Sequence, residues 1–162
     1  MPIITPATLD DAPAMHALQM RAFAEEGRRL QRYDIPPLTE TVESVRAHIR
    51  DQTALTARAD GTIVGCVRGI TVDGVCTIRA LVVDPAHHGQ GIGSALLAAL
   101  ERALPGVARF DLTTNPVMER NVPFYERHGY RVTEITQHSP TITLAQMSKR
   151  VAPPVAGAPD PR

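Results

Sequence analysis

The sequence lacks an excess of charge of either sign: 17 basic residues are matched by 17 acidic ones. A nucleic-acid binder ordinarily carries a basic surplus or stripe to hold phosphates, so DNA and RNA are excluded as main partners. Long apolar runs are missing as well. None approaches the ~20 residues a membrane span needs, and no membrane association is expected. Met1 to Asp11 has neither a basic start nor an apolar stretch. No signal peptide is expected there, and a cytoplasmic address follows. There is no internal repeat.

Cysteine is scarce, with two in the chain. Val72-Asp73-Gly74-Val75 carries the Asp-Gly pair favoured in tight hairpins. Pairing Val72 with Val75 sets Cys76 opposite Thr71 and Cys66 opposite Leu81, several rungs apart and too distant for a disulfide. Both thiols are expected reduced and structural, a nucleophilic cysteine being the lesser alternative.

What is present is ordinary globular composition, 43% hydrophobic over 162 residues, enough for one domain. Periodicity predicts a strand at Ile3 to Thr5, then a helix capped by Asp10 or Asp11 with Met15, Leu18 and Ala22 on one face. Gly27 to Pro37 reads as a loop. A second helix follows, capped by Thr39 or Thr41 and carrying Val42, Val45 and Ile49. Strands at Ala54 to Ala59, Ile63 to Val72 and Val75 to Val83 are joined by Asp60-Gly61 and Asp73-Gly74. A helix from Ile92 to Leu104, a strand from Arg109 to Thr113 and a helix from Asn121 to His128 come next. Two last strands span Tyr130 to Gln137 and Thr141 to Lys149. The pattern predicts an α/β (α+β) fold, a mixed and mostly antiparallel sheet of about seven strands flanked by four helices. It occupies 1–150, and a Pro/Ala-rich, disordered tail is expected at 151–162. Exposed edge strands, Thr141 to Lys149 among them, leave room for a homodimer.

Between a strand and a helix lies Val82-Val83-Asp84-Pro85-Ala86-His87-His88-Gly89-Gln90-Gly91-Ile92-Gly93-Ser94. Glycines at alternate positions let the backbone approach a ligand, and the helix start offers free N–H groups and partial positive charge to an anion. A dinucleotide fingerprint fails because Ser94 or Leu96 stands where its third glycine belongs. A P-loop fails because Lys149 is the only lysine. A helix start with no ligand is the plain alternative.

This segment resembles the acetyl-CoA loop of the GNAT acetyltransferases, Gln/Arg-x-x-Gly-x-Gly/Ala, with His88 at its first position and Gly91 and Gly93 at its glycines. Asn121-Val122-Pro123-Phe124-Tyr125-Glu126-Arg127-His128-Gly129-Tyr130 resembles a second pattern of that family, Asn…Phe-Tyr-x-x-x-Gly-Phe/Tyr. The resemblance implies acetyl-CoA as co-substrate, no metal, and a small-molecule or peptide amine as acceptor. It implies that amides of His88, Gly89, Gln90, Gly91, Ile92, Gly93 and Ser94 hold the pyrophosphate, and that Leu81, Val82 and Val83 pair with the pantetheine arm. It also places Tyr125 where the family's general acid sits and Asn121 at a coenzyme contact. Core packing for Tyr125, and capping alone for Asn121, are the structural alternatives.

An oxyanion formed on the thioester can take a hydrogen bond from an N–H of Leu81 to Val83, and a phenol can protonate the leaving thiolate. The family's usual base, a Glu on the strand before the loop, falls on Thr77, whose hydroxyl can orient water but cannot act as a base near neutrality. A water chain, Asp34, Glu40 or a group of the substrate loop is left for that role. His88 brings less charge than Gln/Arg-type Arg would, so coenzyme binding is expected to weaken as pH rises through the histidine range, unless the ring is idle. Arg68 falls opposite Arg79 on the face of Thr77. Either acidic neighbours or solvent offset the like charges, or the pair receives an acceptor carboxylate. Against the enzyme stands a non-catalytic acyl-CoA-binding module on the same fold.

Overall fold

Two Asp-Gly turns set the centre of the fold. In the computed structural model, which describes residues 2–151, Asp60-Gly61 and Asp73-Gly74 all have positive φ (51° and 78° in each pair). This is the twist that two-residue hairpins require. They join β2 (Thr53–Ala59), β3 (Thr62–Val72) and β4 (Val75–Val83) into an antiparallel meander, with β1 (Ile3–Pro6) added at its edge. A crossover through α4 (Ile92–Ala103) returns the chain as β5 (Arg109–Thr114), parallel to β4. The chain ends in the hairpin of β6 (Arg131–Ser139) and β7 (Ile142–Arg150), and the sheet order is β1-β2-β3-β4-β5-β7-β6. This is the expected seven-stranded, mostly antiparallel sheet.

Helices α1 (Ala12–Leu30) and α3 (Val42–Asp51) cover one face, burying Met15, Leu18 and Val45 against Ile63, Cys66 and Val82. On the other face α4 and α5 (Asn121–Arg127) pack over Val67, Cys76, Phe110 and Met147. Helix α4 lies close to β3 because β3 has no side chain at two points. A Cβ at Gly65 would stand 2.9 Å from Leu96 Cδ1, and one at Gly69 would stand 3.2 Å from Leu100 Cδ1.

Several expectations are corrected. Helix α1 does not stop at Gly27 but continues to Leu30, and Pro36–Thr39 forms one further turn, α2. Gly27 is buried in the helix because a Cβ there would sit 2.7 Å from Leu38 Cδ1, so it is a site of close approach and not a break. Strand β7 is interior; the exposed edge at that end is β6. Cys66 pairs with Val82, not Leu81, because β4 bulges. Both thiols are still free and buried, on opposite faces of the sheet. Desolvation pushes Cys66 up to about 12. Apart from Val151, the tail expected at 151–162 lies outside the described residues. Among those described, no helix is long and apolar enough to cross a membrane.

Arg68 does face Arg79 across the ladder, but it is only 2% exposed and its fork is filled from within. Nη2 donates to Glu40 Oε1 at 2.6 Å and Gln19 Oε1 at 2.9 Å. Nη1 donates to Glu40 Oε2 at 3.0 Å and meets His48 Nδ1. Burial and the Arg68 charge push His48 down, so a neutral ring accepts there. Four of the five Arg68 N–H donors are thereby engaged by internal partners and the side chain is buried, so Arg68 is not presented to a substrate carboxylate. The acidic-neighbour alternative is the one realised, and it pins the loop before α3 to β3.

Burial opposes ionisation of Glu40, but hydrogen bonds from Arg68, Gln19 and Ser44 outweigh it and hold the carboxyl at about 2. A depressed acid stabilises the fold fully above its ordinary value, here 4.5, and that contribution is lost as pH falls through the depressed one. Urea unfolding is expected to show Arg68→Ala less stable than wild type by about 3–5 kcal/mol at pH 7, the cost of stranding a buried partner. Glu40→Gln should be less stable than wild type at pH 6, with the gap narrowing steadily toward pH 2. A constant gap over that range would mean the ion pair is not what holds this corner.

Candidate active site

The site begins where two parallel strands separate. β4 and β5 pair over three rungs only, Val75 with Arg109, Cys76 with Phe110 and Thr77 with Asp111. Beyond Thr77, β4 remains paired to β3 as far as Val83, and β5 remains paired to β7 as far as Thr114. Each strand keeps its outer partner while the inner edges part, leaving a wedge lined by unpaired backbone groups. Within it β4 bulges: from Arg79 to Val82 it spends three steps where β3 spends two, from Arg68 to Cys66. Ala80 takes the left-handed conformation, φ 51°, which is strained for a residue with a Cβ and typical of bulges that re-aim neighbouring groups.

At the C-terminal end of β4, Asp84 closes a short turn by accepting the Ala86 N–H at 3.0 Å, and Arg21 of α1 pairs with it. Gly89 and Gly91 have φ of 78° and 79°, and nothing lies within 4 Å of a Cβ built on either. Helix α4 starts immediately after Gly91, and the first amide to find a carbonyl is that of Ala95, bonded to Gly91 at 3.0 Å. The amides from Gly89 to Ser94 are thus free of backbone partners among the described residues. This is an open, Cβ-free cradle beside a helix N-terminus, a fit for a diphosphate.

The side chains around the cradle are placed differently from expectation in two cases. The Ser94 hydroxyl is bonded to His128 Nε2 at 2.9 Å, tying α4 to the end of α5, so only its N–H is open to a ligand. The His88 ring is exposed and its Nε2 lies 3.2 Å from the Val83 carbonyl, folded back on the strand end. Ile92 is buried, and Gly93 sits between Val83 and the Phe124 ring.

Across the wedge, α5 carries Tyr125. Asn121 is its first residue and not its cap; the Asn121 Nδ2 donates to Thr114 Oγ1 at 3.0 Å, fastening the helix to the end of β5. The Tyr125 ring is wedged edge-on between Phe124 and Tyr130, with centroids 5.1 and 5.8 Å away. Tyr130 is the buried aromatic, its hydroxyl donating to Glu101 at 2.8 Å, whereas no bond engages the Tyr125 hydroxyl among the described residues. Packing thus fixes the Tyr125 ring and leaves its oxygen free. Desolvation pushes the phenol well above its ordinary value and keeps it protonated through the neutral range.

Thr77 and Arg79 are exposed on the α1 side of the sheet. Thr77 stands at the last rung before the wedge and lines a groove of about 540 Å³ with Arg109, Asp111, Gln146 and Ser148. Of the bases considered, Asp34 is exposed and held down by Arg32, and Glu40 is committed to Arg68. Sequence reasoning missed the Gln19–Glu40–Arg68 cluster, the bulge at Ala80 and the Ser94–His128 bond. Only the first had a signal, since Gln19 falls on the Met15, Leu18 and Ala22 face.

The family model described as "Acetyltransferase (GNAT) family" matches residues 13–130. YjcF of Bacillus subtilis (strain 168), an uncharacterized N-acetyltransferase, is 35% identical over 71 residues, 43% of this chain and 49% of that protein. The chain therefore matches about half of that relative's length. Among solved structures, ribosomal-protein-S18-alanine N-acetyltransferase from Escherichia coli superposes with a TM-score of 0.80 over 99% of both chains at 20% identity. PaiA N-acetyltransferase from Thermoplasma acidophilum, in complex with coenzyme A, gives 0.79 over 93% of this chain and 99% of that one at 18% identity. Because the family model spans most of the sequence and the fold matches over its whole length, the chain belongs to the GNAT acetyltransferase family.

Proposed function

We propose that this protein transfers an acetyl group from acetyl-CoA to a primary amine by direct attack in a ternary complex. The observation that carries the reading is the wedge between β4 and β5, with free amides at one end and an unengaged phenol at its side. Free amides of Gly89 to Ser94 suit the diphosphate, since oriented N–H groups at a helix start bind anions. The inner edge of β4 from Leu81 to Val83 suits the amide-bearing pantetheine arm, which can add to it as a strand does. Acetyl-CoA supplies the activated acyl group and a thiolate leaving group.

The residues of the chain divide the work. An N–H near the Ala80 bulge stabilises the oxyanion that develops on the thioester carbonyl, an interaction stronger in the transition state than in the ground state. Tyr125 gives its proton to the departing sulfur. Asn121 acts by anchoring α5 to β5, so it positions Tyr125. Arg79, exposed and unpaired among the described residues, is the remaining cation for an acceptor carboxylate, and Thr77 is placed to orient water in the same cleft.

Release of free CoA from acetyl-CoA, read with a thiol reagent against a mixed panel of primary amines, tests the activity. Amine-dependent release is expected. Coenzyme binding with no release under any amine would favour the non-catalytic module. Tyr125→Phe should lower kcat by roughly 100-fold or more with KM for acetyl-CoA nearly unchanged, the size typical of general acid catalysis; full activity would remove the phenol from the mechanism. His88→Arg, which sets a permanent positive charge beside the cradle, should lower KM for acetyl-CoA relative to the wild type. An unchanged KM would show that position 88 lies away from the coenzyme.

A further inference from the structure

The reaction proposed above needs a group to take protons from the attacking nitrogen, and β4 offers none: its position nearest the last shared rung is Thr77. The other wall of the cleft is α1. Its sheet-facing arc carries Met15, Leu18, Gln19 and Ala22, of which Gln19 touches Arg68 on β3. Seven residues on from Gln19 comes Glu26, about 10.5 Å further along the axis and within about 20° of the same direction. Its place in the sheet is bracketed from both sides. At one end the helix packs on β3 and β4. At the other, Arg29 Nη1 donates to the Val117 carbonyl at 3.1 Å, in the loop that follows β5. A helix that packs on β3 and β4 and sends Arg29 to the loop after β5 passes beside the wedge between β4 and β5, and helical spacing puts Glu26 on its inner side in that stretch. The continuation of α1 to Leu30 keeps Glu26 inside regular helix instead of at its last position.

We infer that Glu26 receives the acceptor's ammonium group over the wedge and serves as the base that deprotonates it. Among the described residues nothing bonds its carboxylate, unlike Glu25, which is tied to Arg28 and Arg29, or Glu40, which is tied to Arg68. A half-buried carboxylate with no cation of its own is left short of positive charge, and an ammonium supplies it. Burial also pushes the Glu26 carboxyl above its ordinary value, which makes the carboxylate a stronger base near neutrality.

An ammonium nitrogen sheds one proton to Glu26, which passes it to solvent. The freed lone pair bonds to the thioester carbon, and the nitrogen sheds its second proton by the same route. The C–S bond then breaks with its pair on sulfur, Tyr125 protonates that sulfur, and the phenol is refilled from solvent. One amide and one thiol form, and one proton is released overall.

This proposal rests on the transferase reading, and the experiment separates the two. CoA release is measured at pH 8 with a mixture of n-butylamine, putrescine and lysine amide, and separately with hydroxylamine, a nucleophile already neutral at that pH. Coenzyme A binding to each protein is measured by calorimetry. Glu26→Gln should bind coenzyme A like the wild type and lose roughly 100-fold or more of kcat/KM on the alkylamines, but less than about 10-fold on hydroxylamine, where no ammonium proton has to be removed. Glu26→Asp should keep part of the alkylamine activity. Unchanged alkylamine turnover in Glu26→Gln, or equal losses on both nucleophiles with coenzyme binding intact, would overturn the assignment. A wild type that binds coenzyme A yet acylates neither nucleophile overturns the transferase reading itself, and this proposal with it.

Discussion

The parting of β4 from β5 is the constraint on which the rest of the site depends. A parallel pair that stops after three rungs leaves N–H and C=O groups facing each other across a widening gap. Such groups are costly to bury without partners. The gap is held open because each strand is anchored on its outer side, β4 by β3 and β5 by β7. It cannot simply close by sliding. The bulge at Ala80 turns β4 further from the regular ladder. A backbone left in this state favours a ligand that is itself extended and rich in amides. The fold thereby creates a vacancy in its own sheet that suits a pantetheine arm.

Everything else positions chemistry around that gap. Helix α4 puts a Cβ-free turn and a bare helix start at its C-terminal end, close to the sheet because of Gly65 and Gly69. Helix α5, fastened by Asn121 to Thr114 and by His128 to Ser94, holds an aromatic ladder from which one phenol is spared. Helix α1 spans the opposite wall, anchored by Gln19 to Arg68 at one point and by Arg29 to the β5–α5 loop at another. The buried Arg68–Glu40 pair costs desolvation that its hydrogen bonds offset. Its consequence for the site is geometric, because it fixes the segment leading into α3 beside the cleft.

Much of this was legible in the residues. Asp-Gly pairs, apolar alternation and glycine punctuation are local signals, and they fixed β2 to β4, the start of α4 at Ile92 and the start of α5 at Asn121 to within a residue. Features that depend on partners distant in sequence were not legible. Gly27 reads as a helix breaker on propensity, and only the closeness of Leu38 explains a glycine inside a continuing helix. A stop at Gly27 also leaves Glu26 as a last-turn residue at a loop boundary, with no local sign that it belongs to a continuous inner face. The bulge at Ala80 has no compositional mark. Arg68 opposite Arg79 was readable as a register, but which charge would neutralise it depended on how Glu40 folds back. The strand order placing β7 next to β5 is likewise a tertiary fact that alternating patterns in two neighbouring strands cannot distinguish.

Acetyl transfer at this site requires that the cradle and the wedge take up the two ends of one coenzyme molecule. A chain of this size suits amide-resolved NMR, and titration with coenzyme A alone needs no knowledge of the acceptor. The amides of Gly89, Gly91, Gly93 and Ser94 should shift most, with those of Leu81 to Val83 moving in step at the same saturation. Coenzyme A at saturating concentration that leaves both sets unmoved, or that shifts only the groove lined by Arg109, Gln146 and Ser148, would contradict it.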